Sequence, residues 1–297
     1  MQAAAVLKAY LEQRRAAGAS HVPLRPDSLE RLRAYRQGRR ARAAEVRRLV
    51  EEDTEPVRAS ASLVQEMATA PAAAPAETDL VLTVPGTSKA EKLAALQALA
   101  EAAPEPRALG SLRETMVFAT GSPEAELMFI GEAPGAEEER QREPFVGPAG
   151  QKLTGIIKAM GLDRERVYIS NICKFRPAMP DQGSSNRAPT REEMRACLPF
   201  ILTEIDILRP KVIVALGKTA CEGLGIEGPV SRLRGRFFEV RGIPTMVTFH
   251  PSFILREERL AGGGLEVKRQ VWEDMLQVME KCGLPISAKQ RGFFQRG

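Results

Sequence analysis

Leu127-Met128-Phe129-Ile130-Gly131-Glu132-Ala133-Pro134-Gly135 is a short apolar run that breaks into a Gly/Pro turn carrying a carboxylate at its mouth. Four apolar residues bounded by Gly and Pro suit an interior strand, since a helix would need about ten residues or more. In open α/β sheets ligands bind beyond the carboxyl ends of the strands, so this strand is expected to deliver a functional loop. Standing alone, the same turn would serve equally well as a plain strand-to-helix connection with a solvated glutamate.

The pattern repeats on the carboxyl side. Val167-Tyr168-Ile169-Ser170-Asn171-Ile172 and Lys211-Val212-Ile213-Val214-Ala215-Leu216-Gly217 read as the second and third strands, and 236–240 and 245–249 as two more. Between the first two, Leu153, Ile156, Ile157 and Met160 recur at helical spacing. Thr190-Arg191-Glu192-Glu193 has capping-box form and opens a helix whose buried stripe is Met194, Cys197, Leu198, Ile201, Ile205 and Leu208. A last helix over 266–281 buries Val271, Trp272, Met275, Leu276 and Met279. Strands alternating with helices predict a mainly parallel sheet with helices on both faces. Three strands end in polar side chains, Glu132, Asn171 and His250, and in a parallel sheet those ends share one edge. Each has a plain reading by itself, Asn171 as a strand-end cap and His250 as a satisfied core histidine. Their convergence is what points to a site.

On the amino side, Ser88-Lys89-Ala90-Glu91 is a second capping box, opening an Ala/Leu-rich helix. Before it, residues 55–87 turn Ala/Pro-rich and read as a linker. Residues 1–54 form a basic, helical arm over 2–17 and 27–52, too poor in apolar residues to build a core of its own. The chain therefore divides into an arm (1–54), a linker (55–87), an α/β domain (88–285) and a C-terminal tail (286–297).

With 297 residues and 43% hydrophobic content, the chain can bury a sizeable core. The formal charge of +5 resides entirely in residues 1–53, which hold 12 Lys/Arg against 7 Asp/Glu. A basic arm beside a neutral domain suits a polyanion such as DNA, and equally a solvated helical face. Cys173, Cys197, Cys221 and Cys282 form no CxxC pair, which fits reduced thiols in a cytoplasmic protein. No apolar run approaches the roughly 18 residues of a membrane span, so a soluble, intracellular monomer without membrane contact is expected. His21 lies in the arm, leaving one histidine in the domain, and no metal site is expected from the residue pattern.

Gly131-Glu132-Ala133-Pro134-Gly135, Pro144-Phe145-Val146-Gly147, Asn186-Arg187-Ala188-Pro189, Pro210-Lys211-Val212-Ile213 and His250-Pro251-Ser252 follow in an order and spacing that resemble the family 4 uracil-DNA glycosylases. The likeness covers about residues 117–256. It implies a three-layer α/β/α sandwich around a central, mainly parallel four-stranded sheet. It also implies DNA repair by hydrolysis of the N-glycosidic bond at a flipped-out deoxyuridine, releasing uracil and leaving an abasic site. By the resemblance, Glu132, His250 and Asn186 are catalytic, and Ala133, Glu138, Phe145, Asn171 and Ser252 bind the base. The side-chain chemistry agrees. Phe145 offers a stacking face, and the Asn171 amide matches O4 and N3–H of uracil and opposes cytosine. His250 can donate to O2 as charge develops there. Glu132 is the nearest carboxylate for the cationic sugar or the attacking water, which Asn186 positions, and Glu138 would sit near C5 and bar the methyl of thymine.

One departure stands out. The family carries a four-cysteine 4Fe-4S cluster, with a CxxC pair before the first strand and a third cysteine in a Lys-Cys-Arg-Pro motif. Here residues 101–121 contain no cysteine, the third position reads Lys174-Phe175-Arg176-Pro177, and Cys197 alone matches a ligand position. One ligand cannot hold such a cluster, so no cofactor is expected. The competing expectation is a non-catalytic binder of uracil-containing or damaged DNA on the same fold.

Overall fold

A computed structural model describes residues 80–260 and 263–294. The expected arm and most of the linker lie outside the described residues. The described residues belong to one compact unit. Helix α1 (Lys89–Ala102) opens on the capping box read from the sequence, with Ser88 and Glu91 exchanging their side-chain and backbone bonds. The packed part begins earlier than residue 88. Leu80, Val81, Leu82 and Val84 lie against the core, and the Leu82 amide donates to Thr203 Oγ1 at 2.9 Å. Composition marks this stretch as linker, yet its four apolar side chains have a face to cover.

A short helix α2 (Pro104–Ala108) leads to strands β1 (Leu112–Met116) and β2 (Ala119–Gly121), then to β3 (Leu127–Gly131), the strand expected first. After it come α3 (Ala136–Gln141), α4 (Pro148–Ala159), β4 (Tyr168–Asn171) and β5 (Phe175–Pro177). Then follow α5 (Arg191–Leu208), β6 (Val212–Leu216), α6 (Gly217–Gly223), α7 (Val230–Leu233), β7 (Phe237–Val240) and β8 (Ile243–Thr248). The chain closes with α8 (Pro251–Glu258), α9 (Leu265–Cys282) and α10 (Ala288–Arg291). The sheet runs β2-β4-β3-β6-β8-β7. Its four central strands are parallel, and β2 and β7 add antiparallel edges to the four-stranded sheet expected. Every residue of β3, β4 and β6 is buried, the reason β3 and β6 read as continuous apolar runs rather than alternations.

Two cores lie on the two faces. One gathers side chains of α1, α5 and α6, including Leu96, Ile201 and Ala220, and the other gathers α4, α8 and α9, including Leu153, Ile254 and Met275. The expected C-terminal tail is in part a docked helix. Trp272 Nε1 donates to the Gln290 carbonyl at 2.8 Å, Gln290 Nε2 donates to the Ala159 carbonyl at 2.8 Å, and Phe293 packs on the Trp272 ring. Among the described residues no helix is long and apolar enough to cross a membrane.

Candidate active site

Because β3, β4, β6 and β8 run parallel, their carboxyl ends share one edge. Glu132 follows β3, Asn171 ends β4, and His250 caps α8 just after β8. All eight residues singled out in the sequence, Glu132, Ala133, Glu138, Phe145, Asn171, Asn186, His250 and Ser252, line one cavity of about 540 Å³ at that edge. Arg187, Leu255, Arg256 and Arg259 also line it, and these the sequence reading missed. Arg187 belongs to the quoted Asn186-Arg187-Ala188-Pro189 motif, while Leu255, Arg256 and Arg259 follow His250 on α8 and at its C-cap.

The floor depends on a close approach. Gly131 lies beside Asn171 in register, and a Cβ there would collide with Asn171 Oδ1 and with the Phe145 ring. Only glycine lets the amide and the aromatic ring share that space. Phe145 itself holds a left-handed backbone, with φ 57°, a conformation that persists only where the surroundings over-determine it. Here Arg164 donates to the carbonyls of Phe145 at 2.9 Å and Pro144 at 2.8 Å and pairs with Glu143. A Cβ on Gly150 would strike the Phe145 backbone, so α4 can start this close only with glycine in its first turn.

Glu138 lines the cavity, and its carboxylate also binds backbone amides. Its Oε1 accepts from the amides of Val146 (3.0 Å) and Gly147 (2.8 Å), and its Oε2 from Gly135 (3.2 Å). The carboxylate thus ties the loop after β3 to the Phe145 loop. Asn186 also lines the cavity. Arg176, buried and paired with Glu139 at 2.9 Å, donates to Asn186 Oδ1 at 2.9 Å and to the carbonyls of Gly183 and Ser185. The arginine of the Lys-Phe-Arg-Pro stretch therefore folds the loop.

Asn171 is 1% exposed, and its Oδ1 has no partner among the described residues. A buried acceptor left open costs about 1–3 kcal/mol and is suited to a ligand donor. His250 Nδ1 accepts from the Ser252 amide at 3.2 Å and lies 2.8 Å from Ser252 Oγ. Burial, and secondarily the Arg256 charge, lower its pKa from 6.5 to about 4. The ring is therefore neutral near pH 7, and with Nδ1 accepting, the proton resides on Nε2. The Phe145 and His250 rings lie 5.7 Å apart, tilted by 37°. Glu132 Oε2 accepts from Thr219 Oγ1 at 2.5 Å, and the Glu132 carbonyl accepts from the Cys173 amide at 3.0 Å.

The positions where the resemblance puts a cluster do not supply its ligands. Phe175 is fully buried, with the Arg107 guanidinium 5.5 Å from its ring centre. Cys173 and Cys197 are fully buried, and a bond shared with Cys197, together with burial, pushes the Cys173 thiol well up. Cys282 belongs to the core on the other face of the sheet. Among the described residues no group of three or more His, Cys, Asp or Glu could hold a metal ion. A four-thiolate cluster does not fit this donor set.

A sequence profile of the uracil DNA glycosylase superfamily matches residues 118–276. The chain is 39% identical over 166 residues to a type-4 uracil-DNA glycosylase of Thermotoga maritima, covering 55% of this chain and 81% of that protein. It is 33% identical to one of Archaeoglobus fulgidus, covering 59% and 86%, and 36% identical to one of Pyrobaculum aerophilum, covering 52% and 80%.

Proposed function

The chain belongs to the type-4 branch of the uracil DNA glycosylase superfamily, and from that premise we propose how its cavity carries out uracil excision. Flipping the deoxyuridine costs a few kcal/mol, offset in part by stacking on Phe145, worth about 1–3 kcal/mol. Asn171 Oδ1 accepts from uracil N3–H while its NH2 donates to O4. Cytosine presents an acceptor at N3 and a donor at its exocyclic amine, leaving both ends of the amide opposed. Loss of a matched buried pair of this kind is the strong form of substrate rejection.

As the bond from C1′ to N1 breaks, its electron pair leaves with the base and negative charge grows on O2. His250 meets it with the Nε2 proton, and one such donor is worth about 2.7–4 kcal/mol in comparable sites. Glu132, held by Thr219, stabilises the cationic sugar and takes the proton of the water that attacks C1′. Asn186, its Oδ1 occupied by Arg176, offers Nδ2 to the oxygen of that water. Ala133 and Ser252 complete the base site, Ser252 by fixing the imidazole. Arg256 and Arg259 suit the phosphates beside the flipped nucleotide. No step requires a metal centre, and the packing around Phe175 and Cys197 supports the reading that this branch member works without the cluster. We place it in the cytoplasm as a monomer whose basic arm contacts DNA.

The observation that carries this reading is the open Asn171 acceptor facing a neutral His250 in one cavity. It is tested by single-turnover excision from labelled oligonucleotides carrying uracil, cytosine or thymine, with chelator present and iron content measured. Alkali-labile sites at uracil alone are expected. Folded protein that binds such DNA and cleaves none of it would leave the non-catalytic binder.

A further inference from the structure

Lys174 and Glu204 are both fully buried and form an ion pair beneath the site. The lysine also donates to Ser170 Oγ at 2.6 Å and the Asn171 carbonyl at 3.0 Å. Its ammonium thus donates to two acceptors and is paired in charge with Glu204, and it lies 5.3 Å from the Phe118 ring centre. The phenol of Tyr168 lies against Glu204, and burial, with the Glu204 charge, pushes it well up.

Burying two charges costs several kcal/mol each, and replacing such a pair by apolar side chains is often neutral or stabilising. Stability alone is therefore a weak reason for this pair. Its placement supplies another. Side chains alternate along a strand, and Tyr168 belongs to the core on the α5 face while Ile169 belongs to the opposite one. The network and the Asn171 amide thus lie on opposite faces of β4, and the link between them is the Asn171 backbone carbonyl.

We propose that the Lys174–Glu204 pair is a positioning device for base readout: it pins the carbonyl of Asn171 from behind the sheet so that the unpartnered amide oxygen is presented at the right depth for a pyrimidine edge. Lys174 and Glu204 touch no substrate and act through Asn171. The inference rests on the uracil-excision reading, and wild-type excision in the same assay separates the two. If the wild type excises nothing, that reading fails. If it excises and the variants match it, only the positioning role fails.

The experiment uses the full chain with K174M/E204M, an apolar pair of similar volume, in the wild-type and N171A backgrounds. Thermal midpoint, single-turnover uracil excision at saturating enzyme and uracil-over-cytosine discrimination are measured. A positioning role predicts a folded variant whose rate falls about tenfold with weakened discrimination, and a loss under about twofold once Asn171 is gone, the non-additivity of residues acting through one another. Wild-type rate and discrimination, or the same fold loss in both backgrounds, overturns it. If K174M/E204M does not fold, E204Q carries the same comparison, and failure of both to fold assigns the pair to stability and overturns the proposal.

Discussion

The sheet edge that holds Asn171 and His250 and the layer that holds Phe175 and Cys197 come within four residues of chain at Asn171 and Phe175, yet they are built on opposite terms. At the edge, a buried acceptor is left open and a histidine is kept neutral beside an arginine. In the layer, Phe175 and both cysteines are fully buried, and Arg107 covers the aromatic ring. Unfinished polar contacts have a cost and persist where a ligand completes them. Closed apolar packing needs no such completion. The layer beside the edge is closed by apolar packing between β5 and α5.

The largest effect that could break this comparison is on the layer. Phe175→Ala removes a fully buried ring and should lower stability by about 3–5 kcal/mol, measured by denaturant unfolding. The single-turnover rate of the protein that remains folded should stay within about twofold of wild type. A hundredfold loss in that rate would show that the layer takes part in the chemistry.

The converse variant is His250→Ala. Excision should fall about 10²–10³-fold with little change in DNA affinity, because the lost bond matters mainly in the transition state. Its thermal midpoint should move far less than that of Phe175→Ala. Equal shifts in both would erase the distinction between the two regions.

A smaller effect concerns pH. His250 should titrate by NMR near 4 rather than at its usual 6.5, since burial disfavours the cation. The unfolded chain takes up this proton first, so the stability tied to His250 is complete above about 6.5 and is lost as pH falls towards about 4. A midpoint above 6 would mean that the site is wetter than the structure indicates. His21 is the only other histidine, so the assignment is direct.

The smallest effect belongs to the arm, where the entire net charge resides. Replacing Arg31, Arg33, Arg36, Arg39, Arg40 and Arg42 with Gln should raise the DNA dissociation constant and flatten its dependence on salt, by about 0.9 in slope for each phosphate no longer neutralised. The rate at saturating enzyme should hold. Identical salt slopes would assign the arm to another task.

The sequence by itself determined the central strands, the helices between them and the order in which polar residues leave the sheet. Strands β3 and β6, buried on both faces, are apolar throughout, and capping boxes mark helix starts by local bonds that Ser88 and Thr190 make within three residues. Gly131 and six of the pocket residues, Glu132, Ala133, Phe145, Asn186, His250 and Ser252, were legible in the short motifs that carry the family resemblance. Edge strand β2 was not, since three residues form no period. Nor were the docked stretches at residues 80–84 and 288–291, whose composition is that of a linker and a tail. The bonds of Glu138 to three backbone amides, of Thr219 to Glu132, of Arg176 to Asn186 and of Lys174 to Glu204 were decided only by the tertiary structure. Two of these, Thr219 to Glu132 and Lys174 to Glu204, join residues far apart along the chain, and whether a charged side chain faces solvent or a buried partner depends on what folding brings opposite it, which no local pattern encodes.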